Sequence, residues 1–160
     1  MTRSRTVTIG IGNEFRRDDG VGLVVASALD GLGLADVAVL TSDGEPSDLL
    51  DIWADADLAI VIDAVLCRPA TPGRVRCVEG DALPIGIGTV GSHALGLPHA
   101  VALGRALGRF PRELVVVAVE AACLDVGVGL SEPVAAAVPR AVETVLAEVN
   151  RVRTGALLPE

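Results

Sequence analysis

The sequence predicts an α/β fold, a three-layer sandwich with helices on both sides of a mostly parallel sheet. Three observations carry that expectation. Short β-branched or apolar runs alternate with helix-like stretches, joined by short links. One run, "LAIVIDAV" from Leu58 to Val65, is almost continuously apolar, as a strand buried on both faces must be. No internal repeat or low-complexity linker divides the 160 residues, so a single domain is expected, with its core from about residue 6 to 150.

Taken in order, Thr6–Gly10 is short and β-branched and reads as a first strand, with Gly20–Leu32 as the helix that follows. Val37–Thr41 is a second strand. Ser47–Ala56 places Leu49, Leu50, Ile52 and Trp53 on a short helix. After the buried strand Leu58–Val65, "GRVRCVE" from Gly73 to Glu79 alternates cleanly and suits a more exposed strand near an edge. Gly80–Gly91 is rich in Gly and Pro and reads as a loop, followed by a helix at about Leu95–Leu107 and a buried strand at Leu114–Val119. Glu132–Val152 closes the chain as a long helix. Pro133 is tolerated in its first turn, whereas Pro139 is expected to kink or divide it. The tail after Arg153 is expected to fray.

Composition narrows the function classes. Half the residues are hydrophobic, but there are only one Trp, two Phe and no Tyr, so aliphatic side chains must fill the core. All 13 basic residues are Arg, which excludes chemistry that needs a P-loop or Schiff-base lysine. A net charge of -8, with basic residues grouped only in pairs, argues against nucleic acid. No apolar run is long enough to span a membrane, and the first residues lack the pattern of a secretory leader. Three cysteines without C-x-x-C spacing point to a reduced, cytoplasmic protein. A monomer is expected.

The chemistry-bearing candidates begin with "GIGNEFRRDDGVGL", residues 10 to 23. Its glycines do not match the G-x-G-x-x-G spacing of a dinucleotide site, because Phe15 and then Gly20 follow Gly12. Asp18 and Asp19 would also repel a phosphate at the helix start. Asp18 is read as an N-cap, leaving Asp19 to point across the sheet edge. Asp63 ends the apolar third strand, and ligands of open α/β sheets bind outside the carboxyl ends of the strands. Parallel pairing of the first and third strands would put Asp19 and Asp63 at one edge. His93, in "TVGSHALGL", adds an imidazole. Two carboxylates and one imidazole form a mixed O,O,N set suited to a divalent transition metal, and Zn, Ni and Fe(II) all fit that chemistry. Cys67 and Cys123 read as small buried thiols. Ser92 lacks a G-x-S-x-G elbow, and Glu120 either lines the crevice or occupies a turn.

"GIGNEFRRDDGVG", "VIDAV" and "SHALGL", in this order and at these intervals, resemble the hydrogenase maturation proteases, and "VGLSEPVAAAVPRAVETVL" is similar to that family's closing helix. The resemblance runs from about Thr6 to Val149. It implies an α/β/α sandwich around a twisted five-stranded sheet. It also implies an endopeptidase that removes the C-terminal extension of a NiFe-hydrogenase large-subunit precursor after nickel insertion. The family's metal-contacting residues fall on Asp19, Asp63 and His93, with nickel supplied largely by the substrate and held weakly by the isolated protein. One departure is "SDGEPSD", Ser42 to Asp48, where many members carry an Asp-Gly-Gly-Thr-like turn. Two alternatives share these residues. One is a non-catalytic metal or assembly chaperone. The other is a peptidyl-tRNA hydrolase-like enzyme, for which the acidic chain lacks a basic RNA-binding face.

Overall fold

The computed structural model describes residues 4–80 and 96–157. Among these, five strands form one sheet: β1 (Thr6–Ile11), β2 (Val37–Ser42), β3 (Leu58–Val65), β4 (Val75–Glu79) and β5 (Glu113–Glu120). Their spatial order is β2-β1-β3-β5-β4. All neighbours are parallel except β4, which runs antiparallel on β5 at the edge. The expected edge character of the "GRVRCVE" stretch is thus found, and β3 lies at the centre.

Alternation along the strands divides the core in two. Val7, Ile9, Ile11, Ala59, Val61, Val116 and Ala118 face helices α2 (Pro46–Trp53) and α3 (Gly96–Leu107). Leu58, Ile60, Ile62, Val115, Val117 and Val119 face α1 (Val21–Asp30) and α4 (Glu132–Leu157). The result is the expected three-layer α/β/α sandwich. Leu58 to Ile62 are all fully buried, which explains the unbroken apolar run. Two of the three aromatic residues pack together. Trp53 meets Phe110 edge-to-face at 5.9 Å and donates its indole N–H to the Arg109 carbonyl at 3.0 Å.

Three boundaries differ from expectation. The first helix, expected at Gly20–Leu32, spans Val21–Asp30 and is preceded by a 3-10 turn over Arg17–Gly20 that holds both aspartates. The closing helix continues through Pro139 as a single element. Proline forfeits one backbone donor there, while Val134 and Ala137 before it and Ala141, Val145 and Val149 after it are held by the same core. That helix also continues past Arg153 to Leu157, where a frayed tail was expected. The expected loop at Gly80–Gly91 lies almost entirely outside the described residues.

Glycines set the distance between α1 and the sheet. A Cβ on Gly10 would lie 2.2 Å from the Gly22 carbonyl oxygen. One on Gly22 would lie 2.3 Å from the Ile11 oxygen and 2.6 Å from that of Ile62. Both positions therefore allow the first turn of α1 to rest on the backbone at the ends of β1 and β3.

Thr8, in the middle of β1, is fully buried, and its hydroxyl has no hydrogen-bond partner among the described residues. Replacing it with the similarly shaped Val removes an unsatisfied polar group. We expect Thr8→Val to gain about 1 kcal/mol, seen as a rise in Tm of roughly 2–4 °C by calorimetry. Gly22→Ala in the same assay is expected to lower Tm.

Candidate functional site

The site is built at the carboxyl edge of the sheet from the turn after β1 and the end of β3. In the turn, Asn13 holds a local loop by accepting the Phe15 N–H on its side-chain oxygen at 2.9 Å. The Asn13 N–H donates to Asp19 Oδ2 at 3.1 Å. Gly12 is required here because a Cβ would lie 2.0 Å from the Asp19 carbonyl oxygen. The glycines thus bring the 3-10 turn back over the end of its own strand. Asp19 is 4 % exposed in this arrangement.

Asp63 is the sixth residue of β3, 7 % exposed, and its Oδ1 accepts the Ala64 N–H at 2.9 Å. Register places Gly10 opposite Ile62, so Asp63 lies one residue beyond that pair, at the level where β1 gives way to the glycine turn. The 3-10 turn carrying Asp19 packs on β3. Asp63, on β3, and Asp19, in the turn after the neighbouring β1, therefore lie at one edge, as parallel pairing predicts. His93 lies outside the described residues. Among the described residues, no group of three or more His, Cys, Asp or Glu is placed to hold a metal ion.

Asp18 corrects the sequence reading. It is not a helix cap but a fully buried carboxylate saturated by donors from the other end of the chain. Its Oδ2 accepts the Ala122 N–H at 2.8 Å, the Cys123 N–H at 3.0 Å and the Ser131 hydroxyl at 2.9 Å. Its Oδ1 accepts the Ser131 N–H at 2.7 Å. Ser131 immediately precedes α4, so the charge also sits at the favourable positive end of that helix. The donors are more than 100 positions away, beyond the reach of any local sequence pattern.

Glu120, the last residue of β5, is a second buried carboxylate, 1 % exposed. Burial pushes its carboxyl up. Hydrogen bonds from the Thr71 N–H and the Cys67 thiol outweigh that, together with the Arg76 and Arg74 guanidiniums, and hold it below its ordinary value. Arg76 Nε lies 3.5 Å and Arg74 Nε 3.9 Å from Oε2. Glu120 therefore secures the connection between β3 and β4. The cysteines are free; Cys67 and Cys123 are half-buried rather than the buried thiols expected, and Cys77 is exposed. Burial and the Glu120 carboxylate raise Cys67, and burial with the Glu148 carboxylate pushes Cys77 up to about 11, which makes both poor nucleophiles.

On the other flank of the turn, Gly12 donates its N–H to the Ser42 carbonyl at 3.1 Å, which joins the "SDGEPSD" stretch to the site. Ser42 donates its hydroxyl to Asp48 at 2.7 Å, and Glu45 caps α2 by accepting the Asp48 N–H. Together with Gly12 and Thr41, these residues line an open cleft of roughly 630 Å³.

Comparison with known proteins gives this geometry a context. A family model described as hydrogenase maturation protease matches residues 27–148, a span that includes Asp63 and His93 and begins after Asp19. The chain is 29% identical over 149 residues to the hydrogenase 2 maturation protease of Escherichia coli K12, covering 91% of each. It is 32% identical over 151 residues to the hydrogenase expression/formation protein HoxM of Azotobacter vinelandii, covering 91% of this chain and 72% of that one. Its fold superposes on the hydrogenase-maturating endopeptidase HybD of E. coli with a TM-score of 0.80 at 27% identity, covering 92% and 93% of the two chains.

Two outcomes follow from the buried carboxylates. Asp18→Asn turns an amide NH2 toward backbone donors and is expected to cost about 2–3 kcal/mol, read as a lower urea midpoint at unchanged slope. Glu120 ionises more readily in the folded state than at its ordinary value of 4.5. Its contribution is therefore complete above that value and lost as pH falls through the lower folded one. Glu120→Gln should show a smaller loss of stability on acidification than wild type, measured by urea titration across that pH range.

Proposed function

From the premise that this chain belongs to the hydrogenase maturation protease family, we propose that it is the endopeptidase for a NiFe-hydrogenase large-subunit precursor. It removes the precursor's C-terminal extension after nickel has been inserted. Nickel arrives as part of the substrate and is met by Asp19, Asp63 and His93. The observation that supports this most is the pair of buried carboxylates, Asp63 on β3 and Asp19 in the turn that follows the adjacent parallel strand β1, at the carboxyl edge.

The chemistry fits a transient contact better than a resident ion. Asp19 and Asp63 supply hard, anionic oxygen ligands, and His93 supplies the nitrogen that a nickel or zinc ion favours. Three protein ligands leave coordination positions for groups of the precursor, unlike a closed structural site. A precursor without its metal offers the two carboxylates no cation, so the same residues distinguish a finished partner from an unfinished one. Hydrolysis then breaks the peptide C–N bond as water adds to the carbonyl carbon. Two routes are open to that step: an ion that polarises the carbonyl, or a carboxylate that accepts the water proton. Family membership favours a peptidase over the chaperone and tRNA-hydrolase readings of the same residues.

The test is intact-mass measurement of nickel-loaded precursor after incubation with wild-type protein and with Asp19→Asn, Asp63→Asn and His93→Ala, each first checked for a native circular-dichroism spectrum. Wild type is expected to shorten the precursor by its extension, and each variant to lose cleavage by at least about a hundredfold. Equal cleavage of metal-free and nickel-loaded precursor would overturn nickel recognition, and full activity of Asp19→Asn would overturn the site.

A further inference from the structure

Two loops far apart in sequence are joined beside Asp19. The Gly127 N–H donates to the Phe15 carbonyl at 2.8 Å, and the Arg17 N–H donates to the Gly127 carbonyl at 2.9 Å. Arg16 and Gly127 form a parallel bridge, which sets Phe15 beside Val126 and Arg17 beside Val128. The Arg16 guanidinium Nε adds a bond to the Leu124 carbonyl at 3.2 Å. Below this bridge, Asp18 binds Ala122, Cys123 and Ser131.

This well-tied unit presents large apolar side chains to solvent. Phe15 is 60% exposed, Val126 86% and Val128 73%. A monomeric surface gains nothing from such a group, and contiguous exposed apolar residues mark interaction sites. Arg17 adds a cost of its own. It holds a left-handed backbone, at φ 51°, that glycine would adopt without strain.

We propose that Phe15, Arg17, Val126 and Val128 form the docking face for the precursor protein, receiving an apolar segment. The proposal rests on the proposed function and extends it to the partner's surface. Two features select this occupant. The first is continuity: the Asp19 N–H donates to the Arg16 carbonyl at 3.1 Å, so a chain lying on this face leads directly to the crevice. The second is charge. In a chain of net -8, the crevice carries Asp19 and Asp63, whereas this adjoining face sets the exposed Arg17 and the half-buried Arg16 among the exposed Glu14 and Asp125, so its charges balance. A partner that brings a cation to the crevice and an apolar segment without net charge to its rim matches both. Because the hydrogen bonds already order the loops, docking spends little on fixing them.

The test compares full-length wild type with three variants: Phe15→Ser/Val126→Ser/Val128→Ser, Arg17→Gly, and Leu32→Ser/Leu107→Ser. The last pair is similarly exposed but follows α1 and α3 at the opposite edge of the sheet. Processing of nickel-loaded precursor gives KM and kcat, and binding of the precursor to immobilised protein is measured separately. The triple variant is expected to raise KM and weaken binding by about tenfold or more, with kcat within about twofold of wild type. Arg17→Gly should weaken binding while its Tm is unchanged or higher, and the Leu32/Leu107 control should match wild type. Unchanged binding by the triple variant overturns the docking face. So does a wild-type dimer that the triple variant converts to monomer, since a second copy then owns this surface. Wild type that binds through this face without cleaving overturns the peptidase reading alone. Wild type that neither binds nor cleaves overturns both.

Discussion

The carboxylate of Asp18 is the constraint on which the carboxyl edge depends. Taking a charge wholly out of water costs several kcal/mol, and that cost is offset only when the available lone pairs are met by well-placed donors. Here they are met by three backbone N–H groups and a hydroxyl, and the head of α4 adds its dipole. One side chain thereby joins the turn after β1, the chain leaving β5 and the start of α4. Asp19 is the next residue, so its position is set by a neighbour whose own position has four separate restraints.

Backbone contact at the glycines completes this arrangement. Gly10 and Gly22 bring α1 against the ends of β1 and β3, and Gly12 lets the 3-10 turn fold back on the strand it leaves. The spacing of Gly10, Gly12 and Gly22 therefore has a packing cause. Glu120 plays a comparable part on the far side of β3. It holds the loop after Asp63 through Thr71, Cys67 and two arginines. The two candidate ligands are thus flanked by two buried carboxylates whose work is structural.

What could be read from the sequence follows the range of the forces involved. β3 was legible to the residue because its apolar run reflects burial on both faces, a property each residue carries individually. The edge position of β4 was legible for the converse reason. Asp63 could be singled out because a carboxylate ending such a run is rare without a purpose. Asp18 could not be understood, since its partners at Ala122, Cys123 and Ser131 become neighbours only when the sheet has formed. Pro139 does not divide the helix, because propensity counts the lost donor but not the apolar stripe on both sides of it. The cysteines were misjudged because a small apolar residue type says little about where the backbone leaves it. Phe15, Val126 and Val128 gave no local sign that two loops would unite to expose them.

The clamp at Asp18 also bears on how the protein is made. Asp18 and Ser131 are separated by 113 positions, and closing so long a loop costs on the order of 4 kcal/mol of chain entropy before any bond compensates. Strands β1, β2 and β3 can pair while the chain is still emerging from the ribosome, because all their residues lie before position 66. The clamp cannot, for its donors at Ala122, Cys123 and Ser131 are synthesised long after β3. A chain not yet extended through Ser131 therefore carries Asp19 and Asp63 without the restraint that sets the turn after β1, and this edge reaches its final shape only once that residue has emerged.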